Sequence, residues 1–122
     1  MKLPRTVALV VFVVGVAWAA YAADISGQWT ATFNTQVGEQ HYTYTFKVDG
    51  EKLTGTAKSD YGTSEIENGV VKGEDISFVE NLDYQGQKLA ITYKGKVSGD
   101  EINFTRDVAG AAKEDLVAKR VK

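Results

Sequence analysis

The chain has no cysteine, one histidine (His41) and one proline (Pro4) among its 122 residues. Without cysteine it can form no disulfide and no thiolate metal site, so its core must be stable through packing alone. A zinc site needs several His or Cys ligands, and no Asp-x-Asp-x-Asp-Gly calcium loop is present. A lone histidine before a strand is typical of a surface residue rather than a catalytic base. We therefore expect no metal, no cofactor and no catalytic residue, and a protein that is not an enzyme.

Strong charge of one sign is also missing. The formal net charge is −2, and two of the positive charges, Lys2 and Arg5, precede the first apolar segment. The rest of the chain is weakly acidic, which gives no electrostatic reason to expect nucleic acid as a partner. The length allows one domain and no second core.

An uncharged segment runs from Thr6 to Ala23 and is rich in valine and alanine. It comes after a basic start and ends in Ala20-Tyr21-Ala22, with small residues at the positions that signal peptidase reads. This layout is typical of a secretory signal peptide, and the expected cleavage site lies between Ala22 and Ala23.

The alternative for the same segment is an uncleaved transmembrane anchor. A helix of this length spans about 26 Å, slightly less than the ~30 Å hydrocarbon core of a bilayer. The positive-inside rule would keep Lys2 and Arg5 in the cytoplasm. The side chains that would meet lipid are Val7, Leu9, Val10, Phe12, Val13, Val14, Val16, Trp18 and Tyr21. Residues 1–23 are thus a signal peptide or an anchor, and 24–122 are an exported domain in either case.

From Asp24 onward the hydrophobic pattern has a period of two residues, which predicts β-strands. In the clearest run, Tyr42, Tyr44, Phe46 and Val48 share one face. Asp49-Gly50 then predicts a tight hairpin turn with positive φ at both residues. The predicted strands are 27–33, 41–48, 52–61, 64–71, 75–82, 87–97, 101–108 and 115–121.

A short repeat supports the same topology. The pattern Val-x-Gly-acid-x-aliphatic begins at Val48, at Val71 and at Val97. Each copy reads as a strand end, a glycine turn and the first inward residue of the next strand. The repeat predicts hairpins joined in sequence order, an all-β antiparallel meander of about eight strands that forms a small barrel or a sandwich.

The residues on one face of these alternating strands would fill the interior of the domain. An eight-stranded barrel has room inside for packed side chains or one small ligand. The predicted interior residues are Trp29, Ala31, Phe33, Tyr42, Tyr44, Phe46, Ile76, Phe78, Ile91, Tyr93, Ile102 and Phe104.

Several of these segments resemble a group of small bacterial exported β-domains that are lipocalin-like. The segments are Ile25-Ser26-Gly27-Gln28-Trp29, the three Val-x-Gly-acid turns, Ile102-Asn103-Phe104-Thr105-Arg106 and Ala118-Lys119-Arg120. The similarity covers most of 24–121. It implies a lipocalin-like fold outside the cytoplasm and carries no single activity.

Two charged residues continue the inward phase of their strands. Glu80 follows Ile76 and Phe78, and Arg106 follows Ile102 and Phe104. Such charges need partners, because burying either alone is costly. We expect them to form an ion pair or to reach solvent at the rim, or Arg106 to meet an anionic ligand. With Trp29, Tyr44 and Tyr93, which pack in the core or stack on a ligand, they are the candidate ligand or rim contacts.

Because the β-domain shows no catalytic pattern, the N-terminal apolar segment, which could attach the chain to a membrane, is the main functional clue. The leading expectation is a non-enzymatic accessory subunit, anchored by its N-terminal helix to a larger integral membrane complex of the photosynthetic or respiratory kind. Membrane lipid would then be a partner, the N-terminus would be cytoplasmic and the β-domain would be periplasmic. The alternative is a secreted or periplasmic module with a cleaved signal that binds a small molecule or a carbohydrate.

Overall fold

The computed structural model describes residues 23–122, which form eight β-strands. The strands are β1 (Gly27–Thr35), β2 (Gly38–Asp49), β3 (Lys52–Ser59), β4 (Gly62–Lys72), β5 (Asp75–Tyr84), β6 (Gln87–Ser98), β7 (Glu101–Val108) and β8 (Ala112–Arg120). Each strand pairs antiparallel with its neighbour in sequence, and β8 pairs with β1 to close a barrel. The predicted meander is confirmed, and the barrel rather than the sandwich is observed.

The predicted apolar helix and the Ala22–Ala23 cleavage site lie outside the described residues. The choice between signal peptide and anchor therefore stays a prediction. Across 23–122, the structure contains no helix with the length and apolar character needed to cross a bilayer.

Burial follows the two-residue period along the strands. In β2, Tyr42, Tyr44 and Phe46 are buried, whereas His41 and Thr45 are exposed. All twelve predicted interior residues are buried. Their rings pack on one another inside the barrel, which is therefore filled around its middle by side chains rather than by a large hollow.

The turns of the three repeats differ in one detail from the expectation. Asp49 is the last residue of β2, and only Gly50 has a positive φ, of 64°. Gly73 and Gly99 adopt nearly the same φ, 59° and 62°. Each turn thus places glycine first and the acidic residue second, and a positive φ at the first position alone belongs to a type II′ turn. The two-positive-φ turn predicted at Asp49-Gly50 is wrong, because the loop begins one residue later.

The two ends of the barrel are different. One end, the base, holds the three repeat turns and is covered by residues 23–26. The Ala23 N–H donates to the Gly73 carbonyl at 2.9 Å, and Ile25 is fully buried. The indole N–H of Trp29 donates to the Ile25 carbonyl at 2.9 Å. The other end, the mouth, holds the turns at 36–37, 60–61, 85–86 and 109–111, and no segment of 23–122 covers it.

Arg120 fastens the covering segment to the base. Its guanidinium donates to the carbonyls of Ser26 and Asp24 at 3.2 and 3.4 Å and to Oδ1 of Asp100 at 3.1 Å. It also lies 4.4 Å from the Trp29 ring centroid. Lys122 and Arg120 together lower the pKa of Asp100, which keeps that carboxylate charged.

We expect Arg120→Ala to cost about 1–2 kcal/mol in the free energy of unfolding, because it removes hydrogen bonds and a cation–π contact. Urea unfolding measures the loss, and faster hydrogen exchange at the Trp29 indole N–H reports that the cover has loosened. Lys119→Ala, at an exposed neighbouring position, is the matched control. Equal exchange in the two variants would contradict a fastening role.

Candidate functional site

A cavity of about 160 Å³ opens at the mouth of the barrel. Its walls are mainly apolar. They come from the mouth ends of several strands and include Val37, Leu82, Tyr84, Leu89, Ile91 and Val108. Its polar lining includes Gln40, Tyr42, Arg106 and Glu114. The mouth therefore combines an apolar pocket with a few buried polar groups, which is the usual composition of a small-molecule site.

Arg106 connects this cavity to the interior. It lies on β7 opposite Glu114 of β8, and only 4% of its side chain is exposed. Its guanidinium carbon lies 5.0 and 5.1 Å from the ring centroids of Phe33 and Tyr42. Nε of Arg106 lies 2.9 Å from Oε1 of Glu114, but the N–H is not directed at that oxygen. The contact is thus a buried ion pair without an aligned hydrogen bond.

Below Arg106, a chain of hydrogen bonds continues into the core. Arg106 donates to the Tyr93 hydroxyl at 3.0 Å, and that hydroxyl donates to Oε1 of Glu80 at 2.9 Å. The Tyr44 and Tyr93 hydroxyl oxygens are 2.9 Å apart. Because the single Tyr93 proton goes to Glu80, Tyr44 must be the donor in that pair. The Tyr93 hydroxyl then uses its one hydrogen-bond donor and both of its acceptor positions.

Glu80 is the end of this chain and is fully buried. Tyr42 donates to its Oε2 at 2.9 Å, so each carboxylate oxygen accepts one hydrogen bond. Burial raises the pKa of Glu80, and Arg106 and the two tyrosine donors only partly oppose that rise. Burial also raises the pKa of Tyr42 to about 12 and holds the pKa values of Tyr44 and Tyr93 well above their ordinary range. These tyrosines therefore remain hydrogen-bond donors at neutral pH.

The raised pKa of Glu80 makes the stability depend on pH in a definite direction. Between its ordinary value near 4.5 and the raised folded value, the folded state holds a proton that the unfolded state has released. Stability then falls as pH rises through that window, by at most about 1.4 kcal/mol per pH unit. Glu80→Gln removes this group, so the variant should gain stability relative to the parent as pH rises. Urea unfolding of both proteins in steps between pH 4 and 8 checks it. If the parent instead gains stability relative to Glu80→Gln as pH rises, Arg106 and the tyrosines lower the pKa of Glu80 more than burial raises it.

Gln40 is the second buried polar residue at the mouth. It is 5% exposed, and its Oε1 has no hydrogen-bond partner within 23–122. A buried unpaired amide oxygen costs about 1–3 kcal/mol. Such an unmatched group beside a cavity is a feature of sites that bind a ligand.

The five predicted contact residues occupy different places. Arg106 lines the cavity. Glu80, Tyr44 and Tyr93 lie beneath it in the hydrogen-bonded chain, and Arg106 reaches Glu80 through Tyr93 while pairing directly with Glu114. Trp29 lies at the base, where it bonds to Ile25.

Sequence reasoning missed Glu114 and Gln40 as residues of the site, and it placed Tyr42 in the interior without naming it as a ligand contact. A signal existed for the first two. Glu114 shares its phase with buried Leu116 and Ala118, and Gln40 shares its phase with Tyr42. Both strands begin earlier than predicted, β8 at Ala112 and β2 at Gly38, so these residues were assigned to loops.

Other polar groups lie apart from the cavity. The His41 side chain is 59% exposed on the outer face of β2, where Nδ1 lies 3.2 Å from the Thr32 hydroxyl. Within the part of the chain that the structure describes, no three His, Asp or Glu side chains lie close enough to hold a metal ion. No family model, no curated protein and no solved structure matches this chain. The class is therefore given by its architecture, an eight-stranded antiparallel barrel compatible with a lipocalin-like fold.

Proposed function

We propose that the domain is a non-enzymatic binding module that takes one small, mainly apolar molecule into the mouth of the barrel. The observation that carries the proposal is the apolar cavity of about 160 Å³ above buried polar groups. An apolar cavity of about 150 Å³ is known to accept benzene. The size therefore favours a single-ring compound or a short chain, and the apolar lining favours it over a carbohydrate.

The charges around the cavity favour a neutral ligand. Arg106 is already paired with Glu114 and lies near the charge of Glu80. An anion would have to displace Glu114, and a buried carboxylate left without its partner is strongly destabilising. The fully buried Glu80 lies beneath Tyr42 and Tyr93. This position argues for a structural role, since a catalytic acid or base must reach its substrate.

The proposal is tested by titrating the domain with benzene, toluene and phenol and following backbone amide shifts by NMR. Ala112, at the rim of the cavity, offers a position where a large side chain would fill it. Ala112→Trp should weaken binding about tenfold or more, since tenfold corresponds to only about 1.4 kcal/mol of lost contact. Ala90→Trp, on the exposed face of β6, is the matched control and should bind as the parent does. Equal binding by both variants would reject the mouth as the site.

A second candidate is the anchored accessory subunit on the periplasmic side of the membrane. The observation that favours it is the entry of the chain at the base, where Ala23 bonds to Gly73 and Ile25 is buried. A retained anchor would hold the barrel by its base and direct the mouth away from the bilayer, towards a partner complex. The mass of the mature chain from membranes decides: an N-terminus at Ala23 removes this candidate and leaves a secreted or periplasmic module.

A further inference from the structure

The barrel is closed unevenly where its first and last strands meet. β1 pairs with β2 over its whole length, and β8 pairs with β7 from Ala112 to Lys119. β1 and β8 pair with each other only at Trp29 with Arg120 and at Thr30 with Lys119, near the base. Towards the mouth, the two strands run on without a ladder between them. We call this unpaired stretch the seam: residues 31–35 of β1 and 112–118 of β8.

Two hydrogen bonds fix which backbone groups face the seam. The Val121 N–H donates to the Gln28 carbonyl, and the Arg120 N–H donates to the Asp100 carbonyl, both at 2.9 Å. In an antiparallel ladder, alternate residues turn both backbone groups to the same neighbour. Even-numbered residues of β1 therefore face β8, and odd-numbered residues of β8 face β1.

Four residues that lie opposite each other across the seam consequently turn their backbone groups into it. They are Thr32 and Asn34 on β1 and Asp115 and Val117 on β8. Among residues 23–122, the β1–β8 ladder does not extend to these four residues. Natural sheet edges are protected from pairing by devices such as proline, β-bulges and charged side chains. Residues 31–35 of β1 have none of these, since they include no proline and no charged residue and the ladder of β1 with β2 has no register shift. On β8 the seam carries the charged residues Lys113, Glu114 and Asp115, so β1 is the edge that is open to pairing.

A groove of about 680 Å³ lies along the seam on the outside of the barrel. Its apolar lining comes from Phe33, Phe104 and Leu116, and its polar lining includes Thr32 and Asp115. None of its lining residues also lines the mouth cavity. It is therefore a separate surface.

We propose that the seam binds an extended polypeptide strand of a partner protein by β-strand addition. A row of N–H and C=O groups along a strand is complementary to another extended backbone, which supplies the missing hydrogen bonds. The apolar floor adds a requirement on sequence: alternate side chains of the partner, those facing Phe33 and Leu116, should be apolar. The groove shares no lining residue with the small-molecule cavity, although Thr35, Ala112 and Glu114 at the mouth end of the seam also line that cavity.

The first test uses a peptide of residues 112–118, capped at both ends, because positions 29 and 30 of β1 are already paired with Arg120 and Lys119 of the protein. Continuing the pairing of Thr30 with Lys119 along β1 would place position 117 of the peptide opposite Thr32 and position 115 opposite Asn34. Saturable binding to the domain, followed by amide shifts at Thr32 and Asn34, is the expected result. The matched control is the same peptide with methylated backbone nitrogens at 115 and 117. It loses the donors that face β1 and should bind about tenfold more weakly or worse, if each lost hydrogen bond is worth about 1 kcal/mol.

A protein variant tests the same point from the other side. Thr32→Pro removes an amide that faces the seam and that β2 does not use, so the β1–β2 ladder keeps its bonds. This variant should lose peptide binding. Thr32→Val keeps the amide and should bind normally. In the free parent, amides 32, 34, 115 and 117 should exchange hydrogen much faster than amides 31 and 33, which bond to β2.

Three results would each overturn the proposal. They are slow exchange at the four seam amides, equal binding of the methylated and unmethylated peptides, and the absence of saturable peptide binding, which would mean that water alone satisfies the seam. Binding of phenol or benzene at the mouth is measured on the same samples. Loss of one activity with retention of the other tells the two sites apart.

Discussion

Replacing Arg106 by methionine is expected to lower the free energy of unfolding by about 3–5 kcal/mol, the usual cost of removing one partner from a buried ion pair. Methionine keeps much of the side-chain volume against Phe33 and Tyr42. The lost stability therefore comes from removing the positive charge rather than from opening a cavity. Two carboxylates, Glu114 and Glu80, then lack their nearest positive charge. Urea denaturation at constant pH measures the change.

Two further measurements separate this explanation from a simple packing defect. The double variant Arg106→Met/Glu114→Gln also removes the Glu114 carboxylate that Arg106→Met leaves unpaired. It should recover about 1 kcal/mol or more of the lost free energy of unfolding. The pKa of Glu80 should also rise in Arg106→Met, because Arg106 is one of the groups that lower it. A double variant no more stable than the single one, with an unchanged Glu80 pKa, would show that the charge of Arg106 is unimportant here.

The sequence predicted the architecture well because the information lies in local patterns. The alternation in β2 around Tyr44 and the three glycine turns each specify one hairpin, and a series of hairpins is already a meander. The choice between barrel and sandwich depends on whether β1 meets β8. That contact involves only residues 29–30 and 119–120, which lie far apart in the chain, and no local pattern reports it.

The site was predicted in part for the same reason. Glu80 and Arg106 stand out as charges in an apolar phase, so the sequence identifies them as buried. Their partners depend on register between strands: Arg106 meets Glu114 because β7 and β8 place them opposite each other. The mouth cavity depends on which strand ends are left uncovered. Within the described chain, residues 23–26 cover the base and no segment covers the mouth, and this difference cannot be read from the alternation of the strands.

The strongest backbone prediction concerns Gly55 in β3, which lies opposite Phe46 of β2. Its φ is 148°, and a Cβ added there would lie 1.9 Å from the Thr45 carbonyl oxygen. Gly55 also falls within the register shift of β3 against β4, where the sheet bends. An alanine would face both an unfavourable φ and an overlap with backbone that cannot move aside.

We therefore expect Gly55→Ala to destabilise the domain by about 3–5 kcal/mol, the sum of backbone strain and overpacking. Gly62→Ala isolates the first of these contributions, because Gly62 also has a positive φ, of 128°, but nothing lies within 4 Å of its added Cβ. It should cost about 1–3 kcal/mol. The difference between the midpoints of urea unfolding of the two variants then reports the cost of placing a methyl group where β2 approaches β3 closely. If both variants lose the same stability, the backbone conformation alone explains Gly55, and the barrel can relax at this bend to admit a methyl group.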